Sequence, residues 1–320
     1  MSSEIKTKIL ELLNKNDFLP FNKIKENINV PSNDILKQIK YLKKIGYEID
    51  FVKNKGYHLI SKPDIIIPQE ITLDLDTDII GKEILYFKSI NSTNDYAKKI
   101  AEKRKKEGIV IVADIQTKGR GRKNRVWFSS SGGLWFSIVL RPKIPANYGM
   151  FLTMIASISV VQAIKKLTGI SPVIKWPNDV LINGKKVCGI LTEFDVKKNL
   201  INYAVVGIGI NINNKINKQI KKIATSLSIE VGVNISRIKF LKTIIKCFDK
   251  YYKNLNIYNF IKIKNLWSLY AKIIGKKVKI MENGNTLTGI ISDVDNYGFL
   301  ILKTKDAIYK ISNGDIIIYE

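Results

Sequence analysis

Apolar residues recur every three or four positions through the first part of the chain and every second position soon after. The chain therefore opens with helices and turns to strands. The segment EIKTKILELLNK sets Ile5, Ile9, Leu12 and Leu13 on one helical face, and PFNKIKENI does the same with Phe21, Ile24 and Ile28. After the turn NVPS, Ser32 stands where an N-cap is needed for a third helix, NDILKQIKYLKKIG, which Gly46 closes. Ile35, Ile39 and Leu42 form its inner stripe, while Lys37, Lys40 and Lys44 repeat on the opposite face. Two alternating runs, YEIDFV and GYHLI, joined by KNKG, read as a hairpin. Three helices and a hairpin over residues 1–62 describe a winged helix-turn-helix. Its DNA-facing candidates are Ser32, Asn33, Lys37, Lys40 and Lys44 on the third helix, with Lys53 and Lys55 in the wing. A small helical domain with a solvated lysine face would show the same stripe, so the short helix, tight turn and trailing wing together favour DNA.

A stretch with Pro63, Pro68 and alternating Asp reads as a linker over residues 63–78. From 79 to 270 strand and helix patterns alternate. EILYFKS, GIVIVADI, GLWFSIVLR and INYAVVGIGINI read as strands, the inner ones nearly continuous apolar runs of the buried kind. NDYAKKIAEKRKK and MFLTMIASISVVQAIKKL read as helices, the second largely buried, and residues 236–270 as helical. SPVIKWPNDVLINGKKVCGILTEFDV reads as strands with an Asn183-Gly184 hairpin. The result is a mixed α/β domain on one large sheet. Residues 274–320 are short strands punctuated by Asn-Gly and Tyr-Gly turns, the pattern of a small SH3-like barrel. The whole is an α+β chain.

Composition changes this picture less than it first suggests. The net charge is +25, yet it is written with 47 lysines scattered along the chain beside only six arginines. Heavy use of Ile, Lys and Asn throughout points to drift towards A·T-rich codons as the larger source of that charge. Two cysteines, Cys188 and Cys247, are too few for a disulfide framework and lack metal-ligand spacing. The start MSSEIKTKIL has no apolar signal core, and no run of 18 apolar residues occurs, so a soluble cytoplasmic protein without a membrane partner is expected.

Against a lysine background, GRGRKNRVW (119–127) stands out by packing three arginines into six residues between two core strands. Arginine offers a planar fork that grips phosphate or carboxylate at two points, which lysine cannot do. Gly119 and Gly121 let the backbone approach a ligand. No G-x-x-x-x-G-K-[ST] is present, and GIGINI lies within a strand and lacks the third Gly and following helix of a dinucleotide fingerprint. The single His, His58, falls in the wing, so no Ser/His/Asp set exists. Chemistry here must rest on Lys, Arg and backbone amides acting as fixed electrostatic partners.

The motifs STN (92–94), QTKGRGRKNRVW, KWPNDV (175–180), GKKVCGIL (184–191) and GIGIN (207–211) stand in the order and spacing of biotin protein ligases. With the winged helix in front, the chain resembles the bifunctional ligase/biotin operon repressors of that family over essentially its whole length. The resemblance implies a class II synthetase-like central domain and ATP, biotin and Mg²⁺ as reactants. It also implies biotinyl-5′-AMP as the held intermediate and the biotin carboxyl carrier protein of acetyl-CoA carboxylase as acceptor. Operator DNA, and a homodimer when the adenylate is bound, are the further partners it implies. It assigns Ser92, Thr93, Asn94, Gln116, Arg120, Gly121, Arg122 and Lys186 to biotin. Arg122, Asn178, Asp179 and Asn211 go to the nucleotide, and Lys186, Arg120 and Arg122 to catalysis. No fixed protein metal site is implied; Mg²⁺ comes with ATP near Asp179. Ser92 with Asp95 also forms a helix capping box, which is compatible with a ligand role. Trp127, Trp135 and Trp176 read as pocket walls and core.

Three positions depart from the family pattern. Asn124 stands in the loop where Gly is usual, KKIATSLSI has no Trp to stack on adenine, and the third helix carries Lys in place of Arg. A lipoate ligase would show Arg-Arg and triple-Gly motifs, which are absent. A pure ligand sensor has no need of the phosphate-gripping cations. A ligase with a vestigial winged helix fits the sequence as well as a regulated one.

Overall fold

The computed structural model describes residues 2–282, 285–312 and 314–319. The chain forms two compact units, residues 1–75 and 76–320.

In the first unit α1 (Ser2–Lys15), α2 (Phe21–Ile28) and α3 (Ser32–Lys44) precede a hairpin of β1 (Glu48–Val52) and β2 (Gly56–Ser61). The predicted stripes meet: Ile5, Ile9, Leu13, Ile24, Ile28, Ile35, Ile39 and Leu42 form one core, joined by Leu10, Leu19, Tyr47 and Ile49. Leu12 and Phe21 lie at its edge. Ser32 is not the N-cap of α3. Pro31 takes that place with no side-chain cap, and its carbonyl accepts from Asp34 and Ile35, so Ser32 is already the first helical residue. Proline's fixed φ sets the helix entry without a hydroxyl.

The stretch 63–78 is also more than a tether. It contains a short helix, α4 (Pro68–Thr72), that packs on α1, and Ile66, Ile71 and Leu75 are buried. Three apolar side chains at near-helical spacing outweigh the two prolines, one of which sits at N1 where its missing N–H costs nothing.

The second unit is built on a seven-stranded sheet. Its strands are β3 (Glu83–Ile90), β4 (Ile109–Gln116), β5 (Leu134–Leu140), β6 (Val173–Lys175), β7 (Asp179–Ile182), β8 (Lys185–Lys197) and β9 (Leu200–Ile210). Their order is β3-β4-β5-β9-β8-β7-β6, with β3 and β4 parallel and the other neighbours antiparallel. The parallel pair is joined by the crossover helix α5 (Thr93–Lys103), whose Ala97, Ile100 and Ala101 pack on Ile109, Ile111, Val139 and Val205.

Helix α6 (Met150–Thr168) is long and apolar enough to cross a membrane. It is nevertheless a core helix: 13 of its 19 residues are buried, and it packs on β8, β9 and α8 (Arg237–Tyr252). After the short α7 (Leu227–Val231), the region expected as one helical stretch from 236 to 270 is two helices, α8 and α9 (Ile257–Ala271). Asn256 caps the second with its side chain, a break that the apolar period alone conceals.

The chain ends in a five-stranded antiparallel sheet of β10 (Lys277–Glu282), β11 (Asn285–Val294), β12 (Leu300–Lys303), β13 (Ile308–Ile311) and β14 (Asp315–Tyr319), in the order β13-β12-β11-β10-β14. Val278, Ile280, Ile291, Val294, Leu300, Leu302, Ile311 and Ile316 make its core. Of its expected turns, Tyr297-Gly298 is present, with Gly298 at φ +86°; Asn283, Gly284 and Asn313 lie outside the described residues.

Candidate active site

Strand β3 delivers the chain to Ser92, and β4 ends at Gln116, so the carboxyl ends of the parallel pair meet the N-terminus of α5. Open sheets commonly place ligands at such ends. Here a cavity of about 540 Å³ opens, lined by the STN segment, the 120–128 loop, KWPND, β8, β9 and residues of the C-terminal sheet.

The floor is made by glycines. Gly207 faces Asn94, and a Cβ there would lie 2.0 Å from Asn94 Oδ1; one on Gly209 would lie 2.4 Å from Trp127 Nε1. GIGIN is thus a strand shaved to admit two side chains, and no dinucleotide loop.

The first group of site residues is a polar network. Ser92 caps α5, accepting from the Asp95 N–H at 3.3 Å. Gln116 Oε1 accepts from the Thr93 amide at 2.8 Å and the Thr93 hydroxyl at 3.0 Å, while Gln116 Nε2 donates to Ser129 Oγ at 2.9 Å. Asn94 donates to Leu191 O at 3.2 Å and to Glu193 Oε2 at 2.9 Å, and its own Oδ1 accepts from Ser137 at 2.6 Å. Ser92, Thr93 and Asn94 are buried, and each is positioned before any ligand arrives.

The second group is charged. Lys186 Nζ lies 2.7 Å from Asp179 Oδ1, off the line of a hydrogen bond, and 5.0 Å over the Trp127 ring. Its neighbour Lys185 is exposed, whereas Lys186 is half-buried, as strand alternation requires. Arg122 Nη1 donates to Asn178 Oδ1 at 3.2 Å, and Asn178 Nδ2 donates to Ile190 O at 2.8 Å. Asn178 and Asp179 follow a cis Trp176-Pro177 bond. Leu191 and Lys186, five positions apart on β8, both line the cavity. Cys188, on the same strand, is fully buried, and burial pushes its thiol far above the ordinary range, so it is no nucleophile at neutral pH.

The loop between these groups is a miniature hairpin. Arg120 pairs with Val126, Gly121 N donates to Arg125 O at 2.7 Å, and Trp127 N to Gly119 O at 2.9 Å. Its tip, Lys123-Asn124, has φ of +54° and +57°, the pair of positive values that a type I′ turn needs. Asn124 therefore stands where a left-handed residue is required, and so does Lys123.

Two assigned residues line the cavity but already have partners within the protein. The Arg120 guanidinium is engaged by the Asp95 carboxylate and lies 3.6 Å from Glu193, so its fork is already held by carboxylates. Asp95 serves Arg120 where a full capping box would have turned it back to Ser92. Asn211 lines the cavity, but its amide donates to Thr225 O and its carbonyl accepts from Asn214, both at 3.0 Å. Sequence reasoning missed Met281, Gly314, Ile316 and Ile317, which bring the C-terminal sheet to the cavity rim beside Ile220 and Ile223. No local signal marks them, since the contact spans the length of the domain. Trp127 and the buried Trp176 line the cavity, and Trp127 Nε1 is buried with no hydrogen-bond partner among the described residues; Trp135 is buried core.

In the first unit Asn33, Lys37, Lys40 and Lys44 are exposed along α3, Ser32 is half-buried at its start, and Lys53 and Lys55 are exposed at the wing tip. Lys55 Nζ lies 5.0 Å over the Phe18 ring.

Residues 86–211 match the Biotin/lipoate A/B protein ligase family, and residues 273–319 match the Biotin protein ligase C terminal domain. The chain belongs to the biotin protein ligase family. It is 39% identical to the Bifunctional ligase/repressor BirA of Bacillus subtilis (strain 168), the match covering 99% of each chain. It is 31% identical to the Biotin--[acetyl-CoA-carboxylase] ligase of Paracoccus denitrificans over 67% of this chain and 91% of that protein. The biotin protein ligase of Aquifex aeolicus, solved in complex with biotin and ATP, superposes with a TM-score of 0.59 at 31% identity, covering 74% of this chain and 99% of that one.

Proposed function

We propose that this protein joins biotin to ATP, holds the biotinyl-5′-AMP, and passes biotin to one lysine of the biotin carboxyl carrier protein of acetyl-CoA carboxylase. In the first step a biotin carboxylate oxygen attacks the α-phosphorus and the bond to pyrophosphate breaks. In the second the lysine amine attacks the acyl carbon and AMP leaves. The observation that carries this reading is the convergence of Lys186, Asp179, Arg122 and Asn178 on one cavity whose other wall is the Ser92–Asn94/Gln116 network.

Two anions must approach each other in the first step. A half-buried ammonium fixed at that place before they arrive stabilises the charge without reorganising. Lys186 is the group assigned that role, with Arg122 and the hairpin closing over the phosphate and excluding water. Asn178, Asp179 and Asn211 are assigned to the nucleotide. Adenine packs on the apolar rim of Ile220, Ile223, Met281 and Ile317 in place of a stacked Trp. Among the described residues no group of three or more His, Cys, Asp or Glu is disposed to hold a metal ion; Mg²⁺ would enter with the triphosphate beside Asp179.

The winged helix of the first unit supports a second role, repression of the biotin genes in the cytoplasm. There the adenylate-bound protein pairs and reads an operator with Ser32, Asn33, Lys37, Lys40 and Lys44 of α3 and Lys53 and Lys55 of the wing. Incubation with ATP, biotin and a carrier domain, followed by mass spectrometry, tests the first role. One biotin should be added. A carrier that gains nothing, or that gains lipoate when offered both acids, overturns it.

A further inference from the structure

We propose that Asp95 and Glu193 are positioning residues that latch the Gly/Arg hairpin through Arg120 and so help it retain the adenylate. The inference rests on the adenylate reading above and deepens it. Neither carboxylate lines the cavity, so neither is placed to touch a ligand directly.

Four observations converge on it. Asp95 sits in the first turn of α5, where a carboxylate is stabilised by the helix N-terminus, yet its oxygen is turned to the Arg120 guanidinium, 25 residues away. Glu193 lies on β8, and Arg120 Nη2 approaches its Oε1 at 3.6 Å. Glu193 is in turn tied to the biotin-side network by Asn94 Nδ2 at 2.9 Å and neutralised by Lys98 Nζ at 2.8 Å. Finally, Arg120 lies within the paired part of the hairpin, bridged to Val126 between the Gly119–Trp127 and Gly121–Arg125 hydrogen bonds. One arginine therefore joins the hairpin to a helix, and the same carboxylate that approaches it orders Asn94. The side chains are 26% to 43% exposed, so each pair is only partly shielded from water. Burial alone would raise the Glu193 carboxyl, but the bonds from Lys98 and Asn94, with Arg120 nearby, bring it below its ordinary value.

The consequence is that Arg120 and Gly121, which line the cavity, are tied through the Arg120 side chain to α5 and β8. Unlatching should shorten adenylate retention without removing the cations that make it.

The test uses the full-length protein carrying Asp95→Ala, Glu193→Gln, both together, and the conservative Asp95→Glu and Glu193→Asp. Glu83→Gln, which removes an ion-paired carboxylate held by Arg104 at 2.6 Å and Lys106 at 3.0 Å elsewhere in the same unit, is the control. Three quantities are read: release of preformed biotinyl-AMP in a chase, the rate of tryptic cleavage within 120–125 without ligand, and the thermal midpoint. The double variant should release adenylate about five- to tenfold faster and be cut faster, the modest size reflecting the partial exposure of the pairs. Asp95→Glu and Glu193→Asp should recover most of the retention, Glu83→Gln should match wild type, and the double substitution should add little to the loss that Arg120→Ala causes by itself, because both carboxylates act through that side chain. Unchanged release and cleavage in a folded double variant overturn the latch, as does a change that follows the thermal midpoint in the Glu83→Gln control as well. If wild type itself forms no adenylate, the functional reading fails, while cleavage still decides the latch.

Discussion

The two regions that carry positive charge to a phosphate use it in opposite ways. In the cavity three cations are held: Lys186 by Asp179 and Trp127, Arg122 by Asn178, Arg120 by Asp95 and Glu193. Along α3 the lysines at 37, 40 and 44 are exposed on a helix face. A held cation has lost its rotamer freedom and part of its hydration before the ligand comes, so it acts at one point and with a fixed geometry. An exposed lysine contributes to a field that any phosphate feels, and it must still be ordered when it binds. The first arrangement suits chemistry and the second suits a polymer of repeated charge. Single substitutions should therefore be severe and specific in the cavity, mild and additive on the helix.

The largest effect is expected at Lys186. Lys186→Ala should lower the rate of biotinyl-AMP formation by about 10²–10³-fold, the loss typical of removing one preorganised charge partner. Lys185→Ala, on the exposed side of the same strand, should leave it near wild type. Pyrophosphate release measures both. Supplying biotinyl-AMP directly should bypass much of the Lys186→Ala defect. An equal loss at the two lysines would show that the held geometry does not matter.

Arg122 comes next. Arg122→Gly removes the bond to Asn178 and the fork beside the hairpin tip. Losing one charge-assisted contact, about 1.5–3 kcal/mol, should release biotinyl-AMP about 10- to 150-fold faster. Adenylation should persist, so escaped activated biotin should label unrelated lysines. Retention measured by chase, with biotin transfer to bystander protein, checks both halves.

Why some of this was legible in the sequence follows from the range of each signal. The stripes of α1 to α3, the buried strands β4, β5 and β9 and the Asn183-Gly184 turn are local, and each formed where the apolar period put it. Site motifs with a fixed order in the chain came together at one cavity. What remained hidden was relational. Arg120 reads as a phosphate grip until Asp95 and Glu193, 25 and 73 residues away, are seen beside it. Ser32 matches a capping residue, yet Pro31 sets the helix entry. Two prolines and four aspartates made 63–78 look like a linker, while Ile66, Ile71 and Leu75 are buried and α4 packs on a helix some sixty residues earlier. Local pattern cannot report a partner that only the fold supplies.

The hairpin tip offers a smaller test, because its backbone takes a conformation that its residues do not favour. Lys123 and Asn124 both occupy left-handed backbone, which costs an ordinary L-residue roughly 1–2 kcal/mol. Lys123→Asn with Asn124→Gly installs the pair that a type I′ turn favours. Relief of about 1 kcal/mol should slow adenylate release about fivefold, measured by chase. Faster release in the double variant would mean that the tip must abandon this turn to close.

The smallest effects belong to α3, and they are the ones that count subunits. Each lysine that neutralises one phosphate contributes about 0.9 to the slope of log affinity against log salt. Lys40→Ala in a monomer on DNA should therefore lower the slope by about 0.9, with a loss of only a few-fold at physiological salt. In a two-fold dimer on an inverted repeat the same substitution removes two contacts, and the slope should fall by about 1.8. Lys37→Ala and Lys44→Ala should behave alike and add, since exposed charges apart from one another are independent. The measurement is binding to the upstream region of the biotin genes across a salt series, with competitor DNA, with and without biotinyl-AMP, beside sedimentation of the same samples. Doubling of the per-lysine slope change only when adenylate is present would identify the adenylate as the signal for pairing. Linkage then requires operator DNA to tighten adenylate binding by the same factor. A slope change of about 0.9 in both conditions, with a monomer in the centrifuge, would mean that the exposed charge of α3 serves DNA without the cavity's control.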